Sequence, residues 1–201
     1  MIELKVLQAV RLKGRIDPAD IAAAAGEDPT AVAAAVRAAT EAGLRIEGKT
    51  VRLSPEGRTR LKELLAAERE NADQAAIGGA YEKFRSVNAD FKTLVADWQL
   101  KNGEPNMHDD EEYDSAVLAR LADVHERVTP ITTAVANELP RLASYSDKLA
   151  AALAKVQSGE TTWLTRPIVD SYHTVWFELH EELILAAGLT RESEAQAGHA
   201  H

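Results

Sequence analysis

GRIDPADIAAAAGEDPTAVAAAVRAATEAGLRIEGKTVRLSPEGRTR, residues 14–60, contains three helix starts and a helix stop. Asp17-Pro18, Asp28-Pro29 and Ser54-Pro55 each place a capping side chain before a proline. Proline suits the first helical position because its missing N–H is not needed there. Gly43 ends the second helix, since glycine readily takes the left-handed conformation found at helix C-termini. The stretch therefore predicts two short helices followed, after an interruption, by a third.

A small β-hairpin is predicted in that interruption. The residues LRIEGKTVRL, 44–53, alternate around a central Glu47-Gly48 turn, which is typical of two paired strands. Upstream, Ile2, Val6 and Val10 recur every four residues and predict a first helix that packs on the others. The order of helix, helix and two-stranded wing is that of a winged helix-turn-helix, which usually presents its second short helix to the DNA major groove.

The same stretch resembles a known family. Gly43-Leu44 and the segment LSPEGR at 53–58 are similar to two parts of the DNA-binding domain of MarR-type bacterial regulators. In that family a Gly-Leu pair ends the recognition helix, and a segment like LSPEGR follows the wing. The resemblance covers about the first third of the chain. It implies a winged helix-turn-helix and a role in transcriptional regulation.

Composition divides the 201-residue chain into two parts. All ten aromatic residues lie between Tyr81 and Phe177. Residues 1–70 hold 12 basic and 11 acidic side chains, whereas the remainder holds 11 basic and 21 acidic ones. We therefore expect a mainly α protein, with a winged helix-turn-helix at 1–70 and a bundle of long helices at 71–201 that serves dimerisation, effector binding or both.

Helical spacing continues through the second part. A long connecting helix is expected to run on from Pro55 and to bend at Gly78-Gly79. A later helix is expected to kink or stop at Thr129-Pro130, and the last long helix to run from Pro167 to Gly188. Short links between long helices favour an antiparallel bundle or a helical dimerisation domain.

Composition also bears on location. The chain has no cysteine, which fits a reducing compartment. Its first residues, MIELKVLQAVRLKG, lack the apolar core of a signal peptide, and no apolar run approaches the ~20 residues that a membrane span needs. We therefore expect a cytoplasmic protein that does not enter a membrane.

DNA binding is the sharpest functional hypothesis for the first part. Arg37 is the only cation on the face of the second short helix that is predicted to point outward, with Thr30 as a smaller polar group. Cations on the hairpin and before the first short helix suit phosphate contacts. The expected DNA-binding residues are Lys13, Arg15, Thr30, Arg37, Arg45, Lys49 and Arg52.

The aromatic second part suggests a small-molecule pocket. Aromatic rings with a few polar groups are typical of ligand sites, although aromatic stripes at helical spacing also form ordinary cores and dimer interfaces. The expected lining is Trp98, Tyr113, His125, Tyr145, Tyr172, His173, Trp176 and His180. His173 and His180 share a helix face with His125 as a third candidate, but i,i+7 side chains lie about 10–11 Å apart along the axis, so no metal site is assigned.

Sequence signals for catalysis are lacking. There is no glycine-rich phosphate loop, no nucleophile elbow and no HExxH motif, so neither an enzyme nor a cofactor is expected. The sequence favours a DNA-binding transcriptional regulator that acts as a homodimer, with double-stranded DNA as its partner and a small effector as a further hypothesis. The alternative is a non-enzymatic interaction module whose winged helix docks a partner protein.

Overall fold

The computed structural model describes residues 2–46 and 49–198, without the side chain of Ile46. The chain divides into two units, an N-terminal unit up to Asn71 and a C-terminal unit from Ala72 onwards. The described residues are mainly helical, which confirms the predicted fold class at that level. No helix in this part of the chain combines the length and the apolar character that crossing a membrane requires.

The N-terminal unit consists of short helices and a two-stranded sheet. Its elements are α1 (Ile2–Lys13), α2 (Ile21–Ala25), α3 (Pro29–Glu41), β1 (Arg45–Ile46), β2 (Arg52–Leu53) and α4 (Pro55–Glu70). Leu7 of α1, Ile21 of α2, Val32 of α3 and Leu61 of α4 are each at most 3 % exposed, so every helix contributes to the core. Burial of such side chains, more than helix propensity, holds short helices in place.

The predicted caps are all present in the N-terminal unit. The Asp17 carboxylate accepts a hydrogen bond from the Ala19 N–H at 2.9 Å, in a single 3₁₀ turn that leads into α2. Asp28 caps α3 and Ser54 caps α4 in the same way. Gly43 follows α3 with φ of 69°, the left-handed conformation for which glycine was expected.

β1 and β2 pair antiparallel, with Arg45 opposite Leu53. The predicted turn between them, Glu47-Gly48, lies outside the described residues. Ile16 also pairs antiparallel with Val51, which the sequence did not predict. This bridge ties the segment after α1 to the hairpin, and both of its residues are buried.

The C-terminal unit is built on four long helices. Its elements are α5 (Gln74–Gln99), β3 (Leu100–Lys101), β4 (Glu104–Pro105), α6 (Glu111–Glu138), α7 (Ser144–Gln157), α8 (Tyr172–Ala186) and α9 (Arg191–Gln196). One apolar core runs through it, with Phe84, Phe91, Leu121 and Leu183 each at most 1 % exposed. α5 packs along α6, α6 against α7, and α7 against α8.

Three expected boundaries are wrong. The helix from Pro55 does not continue past Glu70, because Asp73 accepts hydrogen bonds from Ala75 and Ala76 and starts a new helix. The second is the stop at Thr129-Pro130, since α6 continues through these residues to Glu138. The glycine pair at 78–79, where a bend was expected, lies inside α5.

The third boundary is the start of α8, which is Tyr172 rather than Pro167. Ser171 is its N-cap and accepts a hydrogen bond from the Thr174 N–H. The β3–β4 hairpin and α9 were not anticipated.

Candidate functional site

The outward face of α3 carries the polar groups that were expected there. Thr30, Arg37 and Glu41 are exposed, while Val32 and Ala39 on the opposite side are 3 % and 4 % exposed. The helix therefore has one anchored face and one accessible face. Arg37 is the single cation within α3.

A compact junction fixes the end of α3 against the start of α4. The Ser54 hydroxyl donates to the Gly43 carbonyl at 2.7 Å and accepts from the Gly57 N–H at 2.9 Å. The Ser54 N–H donates to the Leu44 carbonyl at 3.1 Å. A β-carbon on Gly57 would lie 1.9 Å from that carbonyl oxygen, so only glycine allows this approach. Gly43-Leu44 and the LSPEGR segment are thus joined at one junction by hydrogen bonds and a close backbone approach.

Three of the expected phosphate-binding cations are exposed: Arg15, Lys49 and Arg52. Within the described residues none of them makes an ion pair. Lys13 is half-buried. Arg45 is also half-buried, and its Nε donates to the Thr40 hydroxyl, so this predicted DNA contact has a partner inside the unit.

The expected aromatic pocket is only partly assembled. His173, Trp176 and His180 line one cleft on the surface of the C-terminal unit. The other five expected residues do not line it. Tyr172 and His125 contact each other instead, with the hydroxyl oxygen 3.2 Å from Nδ1.

The other three expected residues, Trp98, Tyr113 and Tyr145, each contact different neighbours. Residues on successive turns of one face of a long helix lie beside different parts of the unit. The Trp98 ring packs on His108 with 4.3 Å between centroids, and the Tyr113 hydroxyl donates to the Asp97 carbonyl at 3.0 Å. Tyr145 is buried in α7, where Lys148 approaches its ring.

The cleft lies between α5 and α8, with α9 at its rim, and has a volume of about 360 Å³. Sequence reasoning missed the residues that α5 contributes. Asn88, Lys92, Val95 and Gln99 recur at helical spacing, and polar groups on an otherwise apolar face were the available signal. The lining residues that were not expected are Asn88, Phe91, Lys92, Val95, Ala96, Gln99 and Arg191.

Trp176 is the fixed wall of this cleft. Its indole N–H donates to the Asn88 side-chain oxygen at 2.9 Å. Its ring lies 4.4 Å from the Phe91 ring and 5.1 Å from the Phe84 ring. Because the ring is held by both a hydrogen bond and packing, its orientation is set before anything enters the cleft.

His180 lines the cleft, is 6 % exposed and belongs to a buried polar network. Its Nε2 is 3.3 Å from the Tyr81 hydroxyl, which donates to Glu194 at 2.6 Å. Arg85 binds both oxygens of the same carboxylate, at 3.1 and 2.6 Å. Burial lowers the pKa of His180 to about 4, so its imidazole is neutral at pH 7. Burial also raises the pKa of Tyr81.

Metal binding gains no geometric support in the described part of the chain. No group of three or more His, Cys, Asp or Glu side chains there could hold an ion. His125 contacts Tyr172, whereas His180 contacts Tyr81, so these two histidines have different partners and do not converge on one point.

Comparisons with family models, with curated proteins and with solved structures gave no match to this chain. Two surfaces of the described residues are candidates for function, the outward face of α3 and the cleft between α5 and α8.

Proposed function

We propose that the N-terminal unit is a winged helix-turn-helix and that the protein is a DNA-binding transcriptional regulator that acts as a homodimer. The observation that carries this proposal is the accessible face of α3, with the exposed guanidinium of Arg37 on it. Exposed Arg15, Lys49 and Arg52 in the same unit add to it, since none of these cations is paired within the described residues.

In the proposed complex α3 lies in the major groove and β1–β2 forms the wing. Arg37 reads a base edge, because a guanidinium can donate two hydrogen bonds to guanine. Thr30 lies in the first turn of the same helix, two turns before Arg37 and about 10 Å away along the axis. Lys49, Arg52 and Arg15 contact phosphates, which positions the unit on the duplex without reading its sequence.

The small number of cations per chain supports the proposal of a dimer. Residues 1–70 have a net charge of only about +1, so a single copy offers few phosphate contacts. Two copies double these contacts and place two α3 helices about 34 Å apart, one turn of the duplex. The long helices of the C-terminal unit are the proposed dimerisation element, and the protein acts without catalysis in the cytoplasm.

Fluorescence anisotropy with the DNA upstream of the protein's own gene tests the proposal. The wild type should bind this DNA more tightly than a scrambled sequence of the same composition. R37A should lose about 1–3 kcal/mol of that discrimination. R37K is the matched control for charge: it should retain most of the overall affinity but lose discrimination, because lysine cannot form the paired contact. Equal discrimination by all three proteins would contradict the proposed role of α3.

A second function has one observation in its favour. Much of the accessible face of α3 is alanine: Ala31, Ala33, Ala34 and Ala38 are exposed. Such a face suits contact with a partner protein better than contact with phosphates, so the alternative is an interaction module. Absence of any DNA binding at low salt would favour this alternative, whereas strong binding that weakens as salt rises would favour the regulator.

A further inference from the structure

We infer that the cleft between α5 and α8 binds a small organic anion with a flat aromatic body. This inference goes beyond the proposed function, because it rests on the C-terminal unit alone and holds whether or not the protein binds DNA. It is carried by the charge of the lining, by an unpaired lysine and by a preformed aromatic wall.

The residues that line the cleft carry positive charge, whereas residues 71–201 as a whole carry net negative charge. Residues 71–201 hold 21 acidic and 11 basic side chains. Yet the described residues that line the cleft include two cations, Lys92 and Arg191, and no carboxylate. In a strongly acidic part of the chain, a concave surface from which acids are missing favours an anionic ligand.

Lys92 is the cation available to that ligand. It is half-buried, and within the described residues it makes no ion pair. Arg191, by contrast, is bound to Glu181 and lies over the Phe177 ring at 4.6 Å. Because the Lys92 ammonium has no ion-pair partner among the described residues, a carboxylate that enters the cleft can form a charge-assisted hydrogen bond with it.

The positive charge of Lys92 affects His180, another residue that lines the cleft. Burial is the main cause of the low pKa of His180, and the positive charges of Arg191 and Lys92 lower it further. Glu181 and Glu194 act in the opposite direction. The neutral imidazole adds no charge of its own, so Lys92 is the only lining cation in the described part of the cleft that is not neutralised by an ion pair.

The shape of the cleft favours a flat body. Trp176 and Phe91 form one wall, and Trp176 is held by Asn88. Phe177, 43 % exposed, lies among the lining residues. The volume of about 360 Å³ falls within the usual range for small-ligand pockets. Aromatic walls gain most from a flat ring, by stacking or by edge contacts.

Isothermal titration calorimetry on the full chain tests this inference with three probes of one shape. 2-Naphthoate is the anion, 2-naphthamide the neutral analogue and 2-naphthylmethylamine the cation. We expect 2-naphthoate to bind at least tenfold more tightly than the other two. Equal binding of the three, a preference for the amine, or no binding of 2-naphthoate at millimolar concentration would overturn the inference.

Substitutions on α5 test whether 2-naphthoate binds next to Lys92. K92M keeps the length of the side chain without its charge and should weaken 2-naphthoate about tenfold, while binding of 2-naphthamide stays unchanged. K83M is the control, because Lys83 is exposed on the same helix and does not line the cleft. Equal effects of the two substitutions on 2-naphthoate would overturn the role of Lys92.

A filling variant separates the cleft from general surface binding. Ala96 is exposed and lines the cleft, so A96W should block it and abolish binding of 2-naphthoate with little effect on the core. A89W, at an exposed alanine of α5 outside the lining, should leave binding unchanged. Unaltered binding in A96W would show that the anion binds elsewhere and would overturn the assignment.

Discussion

Gly57 is a residue of the N-terminal unit at which a side chain is not tolerated. Because a β-carbon there would lie 1.9 Å from the Leu44 carbonyl oxygen, G57A forces the start of α4 away from the end of α3. We expect G57A to lower the free energy of unfolding by about 2–3 kcal/mol. Urea unfolding followed by far-ultraviolet circular dichroism measures this, since the N-terminal unit contains no tryptophan.

Gly78 provides the matched comparison. It lies inside α5 with nothing within 4 Å of the position of a β-carbon. G78A should therefore raise the free energy of unfolding by about 0.5–1 kcal/mol, because alanine loses less backbone entropy in a helix. A loss of stability in G78A comparable to that in G57A would contradict the steric explanation.

His180 should make the C-terminal unit sensitive to acid. Its pKa is about 4 in the folded protein and about 6.5 in the unfolded chain, so the unfolded state takes up the proton first. The stability that the neutral ring contributes is complete above pH 6.5 and is lost as the pH falls towards 4. This loss amounts to about 3 kcal/mol.

Tryptophan fluorescence measures this effect, because Trp98, Trp163 and Trp176 all lie in the C-terminal unit. H180Q removes the titrating ring, so its free energy of unfolding should fall less than that of the wild type between pH 7 and pH 4.5. Carboxylates that titrate in the same interval affect both proteins. Parallel pH profiles for the two proteins would contradict the burial argument.

At the scale of single elements, signals confined to a few neighbouring residues were the most informative. The caps at Asp17, Asp28 and Ser54 were predicted because each depends on a side chain and the N–H two or three residues later. The same rule explains the missed break before α5. Asp73 is also such a cap, but the helix-favouring residues on both sides concealed it.

The residues of the cleft were harder to predict, because the contacts that assemble it join distant parts of the chain. Asn88 and Trp176 are 88 residues apart, and Tyr81 and Glu194 are 113 apart. Helical spacing shows which residues share a face but not which face of another helix they meet. The histidine face of α8 was therefore predicted, whereas Lys92, its counterpart on α5, was not.

Pro130 lies inside α6, although proline usually interrupts a helix, so its replacement measures what the proline costs in stability. It lies inside a 28-residue helix, is exposed, and lacks the N–H that would bond to the carbonyl four residues before it. We expect P130A to raise the free energy of unfolding by about 1–3 kcal/mol, measured by urea unfolding and tryptophan fluorescence. A loss of stability would instead show that the proline bends α6 to fit α5 and α7.

At the scale of the whole molecule, charge separates the two parts of the chain. The formal net charge is −9, while residues 1–70 are close to neutral. Nonspecific attraction to DNA is therefore not expected from the protein as a whole. Any binding to DNA must come from a few exposed cations. The number of phosphate contacts can therefore be read from the way the binding constant depends on salt concentration.

Arg15, Lys49 and Arg52 supply three phosphate contacts per chain in the proposed complex, and hence six per dimer. The logarithm of the binding constant should then fall with the logarithm of salt concentration with a slope of about −5. K49A/R52A leaves two contacts per dimer, so the slope should flatten to about −2 on every DNA sequence, whereas R37A should change it little. Anisotropy titrations from low to moderate salt measure these slopes.

A wild-type slope near −3 would indicate a monomer on the DNA. An unchanged slope in the double variant would remove the exposed cations of the hairpin from the interface, and with them the proposed orientation of α3 in the groove.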